Sequence, residues 1–214
     1  MTSPREQRLS WFRQAAITGD RERVHEELFR LLYGLAADMQ IGLARDTTAR
    51  FLPIFRVNHP DITWPDILLS DLDGYYDEHE QGMPDDSDAY AGGDAAFDFA
   101  LCALLRAKAY AKEGNLPRVT PACCTALIAA VSARATNVWH ADDPEAVRAF
   151  EVRDAEALAG RTVHDNVASQ AVKKREWQMV AEWLERHRVG DYPDTQDAER
   201  ERWFEWWLER EGLL

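Results

Sequence analysis

Apolar residues in this chain recur at intervals of three and four, and each run is bounded by residues that start or stop helices. That spacing places them on one face of a helix of about 3.6 residues per turn, whereas a half-buried strand would alternate apolar and polar. Leu9, Phe12, Ala16 and Ile17 form a first stripe, closed by Gly19. Before it stands Ser3-Pro4-Arg5-Glu6, a capping-box pattern with proline at the first helical position. Asp20 is placed to cap a second helix, predicted to run through Val24, Leu28, Leu31, Leu32, Leu35 and Met39 with Gly42 near its end. A third helix is predicted from positions 46–48, stopped by Pro53 or reaching Phe55.

Residues 57–63, with His59-Pro60, read as a loop, and Thr63-Trp64-Pro65-Asp66 is a second capping signal. It opens a predicted helix through Ile67, Leu68, Leu72, Tyr75 and Tyr76. Residues 81–88 combine glycine, proline and short polar residues, the composition of a loop. An alanine-rich helix is predicted over 89–113, ended by Gly114-Asn115. Thr120-Pro121 then starts the most apolar helix, 122–139, in which Leu127, Ile128, Ala129, Ala130 and Val131 are consecutive. A helix apolar on all sides belongs at the centre of a bundle. Further helices are predicted over 143–160, over 163–188, and from Asp194 or Thr195 to Glu211. No segment shows strand-type alternation, and no repeat of about 20–50 residues is present. The predicted architecture is all-α, a single domain over residues 1–214 built as a bundle of eight or nine helices whose alanine-rich members approach closely.

A hydrophobic share of 46% over 214 residues is enough to bury a sizeable core. The chain carries 25 Lys and Arg against 38 Asp and Glu, a net charge of −13. That balance argues against nucleic acid as a partner, since binding it requires a basic face to neutralise phosphates. The first residues have no apolar leader, and no apolar run approaches the roughly 18 residues of a membrane span, so no membrane association is expected. Three cysteines without metal spacing fit a reducing cytoplasm, with Cys102, Cys123 and Cys124 read as structural thiols.

The charge is unevenly placed. Residues 57–105 contain no Lys or Arg and hold twelve acids, while the rest of the chain is close to neutral at −1. Twelve like charges in so short a stretch repel one another unless cations from elsewhere pair with them or a basic partner docks. The residues expected to meet such a partner are Asp71, Asp73, Asp77, Glu78, Asp85, Asp86 and Asp88, with Trp64, Tyr75 and Tyr76 interleaved as aromatic anchors.

Catalytic motifs are sparse. His164-Asp165, with His140 before it and Asp191 after, has the order used by helical HD-type metal-dependent phosphohydrolases, in which a metal polarises phosphate and activates water. This is the enzyme alternative, and a helical scaffold or adaptor is the other. His25-Glu26 begins like a zinc-protease helix, but Phe29 occupies the position of the second histidine. The acids at 71–74 and 85–94 lack the EF-hand order of ligands and glycine. Asp73/Asp77 and Asp94/Asp98 resemble the paired carboxylates of helical nucleotide pyrophosphatases, without their Glu-x-x-Glu partner helix. Trp203, Phe204, Trp206, Trp207 and Leu208 share one arc of the last predicted helix, as expected of a terminal helix docking on a core.

Leu52-Pro53-Ile54-Phe55, then His59-Pro60-Asp61 with Trp64-Pro65-Asp66, then the alanine-rich helices over 89–111 and 122–135, carry a resemblance over the first two-thirds of the chain. The chain resembles the all-helical immunity proteins of bacterial polymorphic-toxin and contact-dependent killing systems. The resemblance implies a small, acidic, cytoplasmic, non-catalytic inhibitor that binds its cognate toxin; from the residues themselves no cofactor and no metal are expected.

Overall fold

The computed structural model describes residues 4–78, 92–137 and 167–187. Among these residues there are nine helices and no strand, the all-α bundle expected from the apolar spacing. They are α1 (Pro4–Thr18), α2 (Arg21–Tyr33), α3 (Ala37–Ala49), α4 (Leu52–Asn58), α5 (Trp64–Ser70), α6 (Leu72–Glu78), α7 (Gly92–Lys112), α8 (Leu116–Asn137) and α9 (Val167–Arg186).

Several ends follow the sequence signals. Gly19 takes φ +77, which a side chain would oppose, and its N–H and that of Asp20 both reach the carbonyl of Ala15. Asp20 then caps α2 by accepting the N–H of Arg23 at 3.0 Å. Gly114, at φ +71, ends α7 in the same way, with Asn115 donating to the carbonyl of Tyr110.

Other boundaries depart from expectation. The helix predicted through Met39 is two: α2 stops at Tyr33, and α3 starts at Ala37. The break is held by Gln40, whose side-chain amide donates to the carbonyl of Leu35 at 2.8 Å and satisfies a buried backbone acceptor outside either helix. Gly42 lies within α3 and ends nothing. Pro53 opens α4 near its first turn, where its missing N–H costs no helical bond. Thr63 precedes α5 but makes no side-chain cap bond. α8 begins at Leu116, so Pro121 lies inside it; Asn115 accepts the N–H of Arg118 at the start.

α8 is central. It packs along α7 and against α3, α9 and α2. Cys123, Cys124, Ala126, Leu127 and Ala130 of α8 have no exposed surface. Ala100 of α7 meets Ala129 and Ala130 of α8 in a small cluster, the close approach that short side chains allow. By length and composition the Leu116–Thr136 stretch could cross a membrane, yet 61% of its apolar window is buried in the bundle, as befits a core helix. Burial pushes the thiols of Cys123 and Cys124 well up from their ordinary value, so both stay protonated and inert.

Candidate functional site

The described part of the acidic stretch runs through α5, α6 and α7, and an aromatic floor lies under the start of α7. Phe97 of α7 sits with its ring centroid 5.1 Å from Phe51 and 5.1 Å from Phe55, and all three rings are buried. This floor holds α4 against α7. At its edge Asp94 accepts two hydrogen bonds from the Asn58 amide, at 3.0 and 3.1 Å, and lies 3.1 Å from Nε2 of His59. Arg56, at the end of α4, pairs with Asp66 of α5.

α5 and α6 were expected as one helix and are split at Asp71. The Asp71 backbone is extended (φ −139, ψ 79), and its carboxylate turns back to accept the N–H of Gly74 at 2.9 Å. The acid therefore satisfies an orphan donor in the first turn of α6. A side chain at Gly74 would collide with that carboxylate, so the glycine and the acid form one device. Asp73, on the next turn, pairs with Lys108 of α7, and that hydrogen bond holds its carboxyl below the ordinary range. Lys112, one turn further along α7, lies 4.8 Å over the ring of Tyr76.

The three aromatic anchors are placed differently. Tyr75 is 2% exposed and belongs to the core, so it supports the face from behind and does not present its ring to a partner. Trp64 is half-buried, 6.5 Å from Tyr75, and its indole N–H is buried without an acceptor among the described residues. Tyr76 is half-buried beneath Lys112. Asp77 and Glu78 form the last residues of α6, while Asp85, Asp86 and Asp88 lie outside the described residues. Asp98 is half-buried, and burial raises its carboxyl above the ordinary value. It in turn helps raise the half-buried thiol of Cys102, after burial itself.

The fold thus spends part of the acidic stretch internally. Asp66 and Asp73 are paired, Asp94 is hydrogen-bonded, and Asp71 is a cap. Among the described residues Arg56, Lys108 and Lys112 bring three positive charges to this stretch. Two exposed apolar side chains that the charge pattern did not reveal lie within it: Val57, 80% exposed, and Ile67, 51% exposed. Each directly follows a member of the Arg56–Asp66 pair in the chain.

Among the described residues no group of three or more His, Cys, Asp or Glu is gathered as a metal site. His140, His164, Asp165 and Asp191 lie outside the described residues, as do the aromatics at 203–207 and the helices predicted over 143–160 and 194–211. No family model, curated protein or solved structure matches the chain. What the described residues define is an all-α bundle in which acids of the 57–105 stretch lie on α5, α6 and α7.

Proposed function

We propose that this is a non-catalytic acidic binding protein of the immunity type, acting in the cytoplasm, that neutralises a cognate toxin effector by covering a basic surface on it. The observation that carries the reading is the charge of residues 57–105, twelve acids without one lysine or arginine. An excess of this kind steers a basic partner toward the face and raises the encounter rate, while repelling acidic proteins. Trp64, Val57 and Ile67 supply apolar contact among the carboxylates, which suits a surface of arginines and lysines with apolar stems.

The test is co-expression with the product of the adjacent gene, read by cell survival and by co-elution in size exclusion. Restored growth together with a stable complex is expected. Continued killing with no complex would remove the inhibitor reading.

A further inference from the structure

Four helices leave a space where they meet. α2 contributes Arg21, Val24 and His25; α8 contributes Ile128, Val131 and Ser132; α9 contributes Gln170, Lys173 and Trp177. Each set is spaced by threes and fours, so each is a single helical stripe. α1 enters with Ala16, and Gly19 turns the corner to α2. These two residues are too short to fill the junction, and a cavity of about 320 Å³ remains. Sites for small organic ligands occupy about 300–1,000 Å³, so the space fits a compact molecule of one or two rings.

The lining is graded from apolar to charged. Ala16, Val24, Val131 and Trp177 are buried and form the floor, with His25 beside them at 4% exposure. Arg21 is exposed, and Ser132, Gln170 and Lys173 are half-buried, so the polar groups stand toward the mouth. Burial, with Arg21 beside it, lowers the pKa of His25 to about 4. At neutral pH its ring therefore adds a hydrogen-bonding edge without a further charge. His25, Gln170 and Lys173 each make a further interaction of their own. A guanidinium offers paired N–H donors matched to an oxyanion, and an ammonium adds a point charge.

We propose that this cavity binds a small organic oxyanion, with a flat apolar body against Trp177 and a phosphate or carboxylate held at the mouth by Arg21 and Lys173. The site is separate from the acidic face and does not depend on the function proposed for it.

The test is isothermal titration calorimetry of the full chain with phenyl phosphate and with benzoate, using phenol and inorganic phosphate as controls. One aromatic anion is expected to bind saturably at one site, and the better of the two identifies the head group. Phenol and inorganic phosphate are expected to bind at least tenfold more weakly. Arg21→Ala combined with Lys173→Ala should weaken binding at least tenfold, and Ser132→Phe, which fills the space, should abolish it. Circular dichroism checks that each variant is folded; if the filling variant is not, Arg21→Ala alone, at an exposed position, decides by the same loss. No saturable binding of either anion, equal binding of phenol or inorganic phosphate, or affinity untouched by Arg21→Ala would each overturn the proposal.

Discussion

Arg50 and Glu176 stand 126 residues apart in the chain, and the guanidinium of the first lies 2.8 Å from the carboxylate of the second. Arg134 approaches the same carboxylate at 3.4 Å and also donates to the backbone carbonyl of Arg50 at 3.4 Å. The end of α3, the later turns of α8 and the middle of α9 are thereby tied at one point. Glu176 is 3% exposed, whereas both arginine side chains keep some contact with water. A buried carboxylate is tolerable here because two cations share it.

Glu176→Ala should therefore destabilise the fold by about 2–3 kcal/mol, somewhat less than the 3–5 kcal/mol typical when a fully buried pair is broken. The arginines left behind can rehydrate in part. Urea unfolding of the wild type and the variant measures this, and a double-mutant cycle with Arg50→Ala isolates the pair. A coupling near zero would place the contact among surface pairs of no structural weight.

How much of this was legible in the sequence depends on how local the determining contact is. Gly19 with Asp20, and Gly114 with Asn115, act within a few residues and read directly as helix ends. The break between α2 and α3 depends on the Gln40 side chain reaching a carbonyl five residues back, which no propensity announces. Asp71 looked like one more acid in a run, yet it ends one helix and caps the next. The charge excess of the candidate site was legible because it is a property of composition. Its partial neutralisation was not, because Arg56 and Lys108 lie outside the base-free stretch and reach it through the fold. Tyr75 alternates with acids in the sequence but points into the core, a distinction that helix phase settles only once α6 is set against α7.

Phe97 is the support on which the acidic surface rests. Its ring contacts two phenylalanines of the α3–α4 region and has no exposed area. Phe97→Ala should cost about 3–5 kcal/mol, the range for removing a buried aromatic ring and leaving a cavity. Denaturant unfolding checks the size, and Phe97→Leu, which retains most of the volume, should recover more than half of the loss.

His25 makes stability depend on pH. Its pKa falls from 6.5 to about 4 on folding, chiefly through burial and then through Arg21. The folded state therefore resists taking up the proton. The contribution is fully present above pH 6.5 and is lost as the pH falls toward and through about 4. At about 1.4 kcal/mol per unit, the stability of the wild type relative to His25→Leu should drop by roughly 3 kcal/mol between about pH 7.5 and about pH 4. Urea midpoints for both proteins across that range supply the comparison. A difference that stays flat would mean that the ring is hydrated in the folded state.

The acidic face predicts a kinetic signature once a partner is in hand. Reversing Asp71 or Asp73 would confuse the result, since the first caps α6 and the second pairs with Lys108. Asp85→Lys, Asp86→Lys and Asp88→Lys together change the charge and leave Asp71, Asp73 and Lys108 in the sequence. Steering acts on encounter, so the association rate should fall by about tenfold or more, and its decline with added salt should become shallow. The dissociation rate should change much less, because long-range charge contributes little once the surfaces have met. Stopped-flow association at low and high salt measures both slopes. An association rate equal to the wild type's at low salt would remove residues 85–88 from the steering surface and leave the partner to be sought elsewhere on the bundle.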